Sequence, residues 1–230
     1  MGGKRLAFIF ETRSADSSCV DTIWRTRSER AGSFISRAVS QWEMVVTRRE
    51  DGTTLTVRGP ETKATPAPIP EDAEFVGITF RLGAFLPHLP VRALVDGTVT
   101  LPEATRTSFW LLGSAWRFPD YANADTFVEK LVRRGLLVRD PVVEAALRGH
   151  LTDLSARSVQ RRVVRATGLT RGAIGQIDRA RRAVALLECG VSILDTVGQA
   201  GYVDQPHLTK SLRRFIGQTP AQIVRQRRPE

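Results

Sequence analysis

The stretch SILDTVGQAGYVDQPHLTKSLRRF, residues 192–215, decides the fold of the C-terminal part of this 230-residue chain. Ser192 is a typical N-cap, and Gly201 interrupts the helical pattern before Asp204 caps a second helix. Two short helices joined by a tight, glycine-containing turn form a helix-turn-helix. The helical spacing predicts an inward apolar stripe that consists of Ile193, Val197, Ala200, Tyr202, Leu208, Leu212 and Phe215.

The other face of the second helix is polar and basic. We predict that the outward side chains are Gln205, His207, Thr209, Lys210 and Arg213. Side chains of these types reach base edges and phosphates in the major groove of DNA. A solvated basic face without a partner is the alternative explanation. The pattern favours a DNA-reading surface, with Tyr202 belonging to the core.

A second, weaker copy of the unit is predicted upstream. Helices are expected over 141–148 and 156–167, with Asp140 and Ser155 as their N-caps. The turn over 149–154 is longer than usual, so this unit alone is a less specific signal. The predicted outward side chains of its second helix are Arg157, Ser158, Gln160, Arg161 and Arg165, with Val159 and Val163 facing inward.

A long helix connects the two predicted units. Thr170 caps it, and it is expected to run over 171–189, before a last helix that begins at Thr219-Pro220. At the helical rise it spans roughly 28 Å, which is close to one DNA turn of about 34 Å. One chain could therefore place both second helices in successive major grooves. The predicted buried face of the connector consists of Ile174, Ile177, Ala180, Val184 and Leu187.

The charge distribution supports a polyanionic partner. The chain has a net charge of +10 and is 42% hydrophobic, which excludes a disordered chain. Residues 140–230 hold 15 Lys and Arg against 8 Asp and Glu, whereas residues 1–139 hold 19 against 16. The shorter C-terminal part therefore carries more than twice the excess positive charge, which favours a nucleic acid.

The N-terminal part has the sequence pattern of β structure. Strands over 44–47 and 53–57 flank Asp51-Gly52, a strong hairpin signal, and residues 65–70 are predicted to form an extended proline-rich loop. From residue 105 onward the apolar spacing predicts two helices, separated by Pro119. The expected fold class is α+β, with a small β-barrel or sandwich and two helices over 1–139, then an all-α domain over 140–230.

Several function classes are not supported by the sequence. The first apolar run, 6–10, is too short for a signal peptide, and no run of about 18 apolar residues predicts a membrane span. Cys19 and Cys189 form no metal-ligand pair, and neither has an evident base beside it. The N-terminal part contains only His88, so a metal site is not expected. We therefore predict a cytoplasmic, nucleoid-associated protein without cofactor, metal or catalytic residues.

A distinctive combination of residues is found at 154–162, Gly168-Leu169, 179–183, Leu186-Leu187, 192–205, Leu208 and 215–220. By these residues the C-terminal part, over about 140–226, resembles the AraC/XylS family of transcription regulators. This resemblance implies a seven-helix domain with two helix-turn-helix units, preceded by a sensor domain that is cupin-like in layout only. It implies DNA-contacting positions at Arg157, Gln160 and Arg161 and at Gln205, His207, Thr209 and Lys210. The sequence departs from the family at Val163, Val197 and Lys210, where an aromatic residue, alanine and arginine are usual.

Two functional hypotheses follow. In the first, the chain is a sequence-specific regulator, an activator or a repressor, whose N-terminal domain binds a small-molecule effector. In the second, the chain is a DNA-binding adaptor whose N-terminal domain is a ligand-free interaction or dimerisation module. The predicted partner is double-stranded promoter or operator DNA, with RNA polymerase and a second copy of the chain as further candidates. The four tryptophans could line an effector pocket, although core packing is the favoured explanation.

Overall fold

The computed structural model describes residues 10–150 and 153–227 and shows a β-rich part followed by a helical part. This order confirms the predicted α+β class. The strands are β1 Glu11–Arg13, β2 Val20–Ser28, β3 Gly32–Ser36, β4 Glu43–Arg49, β5 Gly52–Arg58, β6 Thr65–Ile69, β7 Ala73–Phe80, β8 Ala84–Phe85, β9 Thr98–Thr100, β10 Glu103–Thr105, β11 Ser108–Leu111, β12 Ser114–Arg117 and β13 Val138–Arg139. The helices are α1 Ala124–Arg133, α2 Pro141–Leu147, α3 Ala156–Thr167, α4 Arg171–Glu188, α5 Ile193–Gln199, α6 Gln205–Ile216 and α7 Pro220–Arg227, with a 3-10 helix at Val91–Leu94.

The largest sheet is open rather than closed into a barrel. Its six strands follow the order β1-β2-β7-β4-β5-β9, and all its pairings are antiparallel. Within the described ranges, the edge strands β1 and β9 do not pair with each other, so the barrel alternative is corrected to separate sheets. The hairpin predicted at Asp51-Gly52 is confirmed, since β4 and β5 pair with Arg49 opposite Gly52. Of the predicted strand over 6–10, only Phe10 lies among the described residues.

The proline-rich segment is a strand, not the predicted loop. β6 pairs antiparallel with β3, with Ile35 opposite Pro66 and Ser33 opposite Pro68. Proline donates no backbone hydrogen bond, so it is tolerated at a sheet edge and not in a central strand. The two strands accordingly form a ribbon of their own outside the six-stranded sheet.

The first helix predicted after residue 105 is wrong. That segment forms the three-stranded sheet β10-β11-β12, in which Phe109 pairs with Trp116 and Leu111 with Ser114. Its two-residue loop has positive φ at both Leu112 (49°) and Gly113 (76°), the geometry that matches the twist of a hairpin. The second predicted helix is present as α1, which ends before Leu136-Leu137.

One continuous core runs through both parts of the chain. The Trp42 ring stacks on Phe80 at 3.9 Å, and its indole nitrogen donates a 2.7 Å hydrogen bond to the Ala84 carbonyl in β8. β8 pairs with β13, where Val138 lies opposite Phe85, immediately before the helical part begins. The division at residues 139 and 140 stays a prediction, because packing does not stop there.

The four tryptophans do not share one environment. Trp42 and Trp116 are buried, whereas Trp110 is 46% exposed on β11. Trp24 lies on the sheet over Gly77, and its indole nitrogen donates to the Glu43 carboxylate at 3.2 Å. A single pocket lined by all four side chains is therefore absent, and the packing explanation holds for Trp42 and Trp116 but not for Trp110. None of the described helices is both long and apolar enough to cross a membrane.

Candidate nucleic-acid interface

The downstream helix-turn-helix is built by local capping. The Ser192 hydroxyl accepts the Asp195 amide at 3.1 Å and donates to the Asp195 carboxylate at 2.6 Å, which fixes the start of α5. Gly201, with φ of 72°, turns the chain between the helices. Asp204 then accepts the His207 amide at 2.7 Å and starts α6. These caps confirm both predicted helix starts.

Tyr202 joins the turn to the underside of α6. Its ring is buried, and its hydroxyl shares a 2.9 Å hydrogen bond with that of Ser211. Burial raises the pKa of the Tyr202 phenol above its ordinary value, so the hydroxyl stays neutral at neutral pH. The His207 ring meets the Tyr202 ring edge-on at 5.1 Å. Tyr202 is therefore a core residue, as predicted, and it positions α6.

The outward face of α6 collects most of the predicted contact residues. Leu208, Leu212 and Phe215 are buried beneath the helix. On the opposite side, five residues line a shallow groove of about 590 Å³, namely Gln205, Pro206, Thr209, Lys210 and Arg213. His207 is exposed but is set on the flank, against Tyr202, and does not line this groove.

The upstream unit repeats the same arrangement. Asp140 accepts the Val142 amide at 3.1 Å to begin α2, and Ser155 accepts the Ser158 amide at 3.3 Å to begin α3. The Ser155 hydroxyl also bonds that of Ser158, which is half-buried and lies on the flank. The turn before α3 includes residues 151–152, which are outside the described residues. The predicted residues Arg157, Gln160, Arg161 and Arg165 lie together on the outward face and line a groove of about 650 Å³.

The second helices of the two helix-turn-helix units, α3 and α6, are matching copies, and we call them the reading helices. Their buried residues recur at an offset of 49 positions. Val159 corresponds to Leu208, Val163 to Leu212 and Ala166 to Phe215. At the same offset, Gly168 and Gly217 end the two helices in the left-handed conformation. Arg161 corresponds in this way to Lys210, and Gln160 to Thr209. The chain therefore presents two similar surfaces with different polar side chains.

The connector α4 holds the downstream unit in place. Its predicted apolar face is buried, and Thr170 caps it by accepting the Ala173 amide at 3.1 Å. The helix packs against α5, α6 and α7. Its 18 residues span about 27 Å at the helical rise. One continuous helix therefore connects the two units.

The outward cations have no acidic partners among residues 10–150 and 153–227. Arg162, on the flank of α3, pairs with Asp140 at 2.9 Å. In contrast, no described carboxylate forms an ion pair with Arg157, Arg161, Lys210 or Arg213. Arg165 stands over the Phe85 ring at 5.4 Å. The positive charges of these outward side chains on α3 and α6 are therefore available to bind an anion.

The N-terminal part contacts the ends of both reading helices, which the sequence did not predict. The Ala38 amide donates to the Phe215 carbonyl and the Ala64 amide to the Arg214 carbonyl, each at 2.7 Å. Both carbonyls belong to the last turn of α6, where a helix leaves acceptors unpaired. At the end of α3, Gly168 lies directly against Val91 of the 3-10 helix. The N-terminal part therefore touches both helices at the same end, and no local pattern announces such contacts.

The close contact at Gly217 leads to a prediction about stability. A Cβ at this position would lie 2.8 Å from Cγ2 of Ile35 and 3.2 Å from Cβ of Ala64, and φ is 78°. We expect Gly217→Ala to lower the free energy of unfolding by about 1–2 kcal/mol from backbone strain. Crowding of the domain contact adds a further 1–3 kcal/mol or so.

Gly201→Ala is the matched control for that substitution. Gly201 has nearly the same φ, 72°, but nothing lies within 4 Å of its Cβ direction. Gly201→Ala is therefore expected to cost only the roughly 1–2 kcal/mol of backbone strain. Urea titration of both variants measures the difference, and equal losses would show that the Gly217 contact contributes nothing to holding the two parts together.

Part of the chain matches a known protein family. Residues 150–226 match a family described as a helix-turn-helix domain. No curated protein matches the chain. Solved structures of ToxT from Vibrio cholerae are similar to it only at low identity.

Three of these structures span nearly all of the chain. The apo form of a ToxT variant has 8% identity to this chain and a TM-score of 0.41. The match covers 92% of this chain and 98% of the ToxT variant. Another ToxT structure has 8% identity and a TM-score of 0.40, covering 94% and 96%. ToxT bound to (E)-4-(8-methylnaphthalen-1-yl)but-3-enoic acid has 9% identity and a TM-score of 0.38, covering 95% and 99%. These values describe a weak overall likeness.

Proposed function

We propose that this chain, whose residues 150–226 form a helix-turn-helix domain of the AraC type, is a transcription regulator that binds specific DNA sequences. The observation that carries the proposal is the pair of matching helices, α3 and α6. Each buries its apolar stripe and turns a polar, cationic face outward. Helix-turn-helix proteins place such a face in the major groove.

The proposed DNA contacts follow from the chemistry of each side chain. Arginine suits bidentate contact with guanine, which fits Arg157 and Arg161, and glutamine suits adenine, which fits Gln160 and Gln205. Thr209 has a methyl group and a hydroxyl that can meet base edges. Lysine acts as a point charge, so a phosphate contact suits Lys210.

The remaining four predicted residues receive supporting roles. Arg213 lies in the α6 groove and can reach a base or a phosphate. Arg165 stands at the edge of the α3 groove, beside Phe85. Ser158 and His207 occupy equivalent flanks of the two helices, 49 positions apart, which favours contact with the DNA backbone rather than with bases.

The length of α4 favours simultaneous docking of both units. About 27 Å of rigid helix separates them, and successive major grooves on one face of DNA are about 34 Å apart. One chain would then read two half-sites without requiring a partner copy.

Control by the N-terminal part is the finer element of the proposal. Its backbone amides at Ala38 and Ala64 hold the last turn of α6, and Val91 lies against the end of α3. A small molecule that shifted these contacts would change how the two reading helices are held. Such an effector is the first of the two hypotheses for this part of the chain.

A specific observation also favours the second hypothesis, an adaptor with a protein-interaction module. Trp110 is 46% exposed and Leu112 is 50% exposed, both in the β11-β12 hairpin. Exposed large apolar side chains that lie together are typical of interaction surfaces. RNA polymerase and a second copy of the chain are the candidate partners. Crosslinking with and without DNA would separate a partner-bound surface from a solvated one.

The proposed DNA specificity is tested by selecting bound fragments from random DNA with the purified protein. The best fragment is then titrated against a scrambled fragment at near-physiological salt. A specific regulator is expected to prefer the selected fragment by about a thousandfold or more. Equal affinity for both, falling steeply with salt, would indicate a non-specific binder that contacts phosphates alone.

A further inference from the structure

The groove on the outward face of α3 has one wall from the N-terminal part. From α3 it is lined by Arg157, Gln160, Arg161, Val164 and Arg165, and from the opposite wall by Phe85, Leu86, Pro87, Pro90 and Arg92. The α3 residues lie opposite the buried stripe of Val159 and Val163. The wall, residues 85–92, therefore runs beside the surface that is proposed to face DNA.

This wall is held in a fixed position relative to α3. The Ala84 carbonyl, just before the wall, accepts the Trp42 indole N–H, and Phe85 pairs with Val138. At the other end, Val91 is buried against Gly168 at the end of α3. Two prolines within the wall further restrict its backbone. Arg92 and the reading helix therefore belong to one preorganised surface.

The charges of the groove favour an anionic occupant. Four arginines line it, Arg92, Arg157, Arg161 and Arg165, and none of its lining residues is acidic. Arg92 is exposed and has no ion pair with any described carboxylate. Like charges gathered in one groove repel one another unless an anion lies between them. A reading helix in the major groove has phosphates along both of its sides.

We propose that Arg92, from the N-terminal part, binds a DNA phosphate at the edge of the major groove that α3 enters. The DNA-binding surface then extends beyond the helix-turn-helix domain, and this inference rests on the proposed DNA-binding function. Because a phosphate contact positions the protein without reading a base, Arg92 contributes affinity and not sequence preference. It also links the placement of the N-terminal part directly to DNA affinity.

The test compares Arg92→Ala and Arg92→Lys with the wild-type full-length chain. Affinities for the selected fragment and for a scrambled fragment are measured between 50 and 200 mM salt. Loss of one phosphate contact makes the slope of log affinity against log salt shallower by about 0.9. When salt rises from 50 to 200 mM, the affinity of the wild type should therefore fall by a factor about 3.5 times larger than the factor for the alanine variant. Its binding to both fragments should weaken by a similar factor, while the lysine variant keeps the wild-type slope.

Arg106→Ala is the matched control, because Arg106 is an exposed arginine in the β10-β11 turn and lines neither groove. Thermal melting confirms that each variant is folded. A wild-type slope for Arg92→Ala, or tighter binding, would overturn the inference, the latter because the wall would then obstruct DNA. Failure of the proposed function looks different, since the wild-type chain itself would show no preference for the selected fragment.

Discussion

Replacing Arg161 and Lys210 together by alanine should weaken binding to the selected DNA fragment by about 30-fold to 10⁴-fold. Each is an exposed cation on the outward face of a reading helix, and the two occupy equivalent positions in α3 and α6. Loss of one such contact costs about 1–3 kcal/mol. Because the two units are joined by the rigid α4 and do not share partners, the losses should add.

The single variants show which kind of contact each residue makes. Arg161→Ala should reduce the preference for the selected over the scrambled fragment, since a guanine contact is sequence-dependent. Lys210→Ala should weaken binding to both fragments and should make the slope of log affinity against log salt shallower by about 0.9. Arg162→Ala is the matched control on the same helix, because that side chain lies on the flank and pairs with Asp140. If neither single variant loses affinity, α3 and α6 are not the reading helices.

The second large effect is expected in the core of the N-terminal part. Trp42→Ala should lower the free energy of unfolding by about 3–5 kcal/mol. The indole is 3% exposed, stacks on Phe80 at 3.9 Å, and donates to the Ala84 carbonyl at 2.7 Å. Its removal leaves a cavity and an unpaired buried carbonyl, and both are costly. Guanidinium titration followed by circular dichroism measures the loss.

Trp110→Ala provides the comparison for Trp42. That side chain is 46% exposed, so its removal leaves no closed cavity and should cost about 1 kcal/mol or less. Trp42→Phe keeps an aromatic ring against Phe80 but loses the hydrogen bond, and an intermediate loss is expected. Similar losses for Trp42→Ala and Trp110→Ala would be inconsistent with the buried stack.

Much of the helical part is encoded locally and was therefore predictable. The side chains of Asp140, Ser155, Thr170, Ser192 and Asp204 each accept an amide two or three residues onward, which is a contact between sequence neighbours. The Thr219 hydroxyl likewise accepts the Gln222 amide at 3.2 Å at the start of α7, so all six predicted helix starts of the C-terminal part are marked in this way. The periodicity of apolar residues then identified which face of α3, α4 and α6 is buried.

The β part was less predictable, because strand pairing depends on residues far along the chain. Phe109, Leu112 and Trp116 have helical spacing, yet the segment is a hairpin, since short apolar runs do not distinguish the two structures. The β3-β6 ribbon likewise depends on a pairing across about 30 residues. Prolines at 66 and 68 predicted correctly that β6 is not a central strand, but not that it pairs.

The candidate site likewise has one part that the sequence predicted and another that depends on the tertiary structure. The sequence by itself determined the helices α3 and α6 and most of their outward residues, because capping and helical periodicity act within a few positions. Only the tertiary structure decided that Ala38 meets Phe215 and that Arg92 faces Arg161 across a groove. Such contacts join residues more than 60 positions apart, and their geometry follows from how two hydrophobic surfaces pack, for which no local pattern exists.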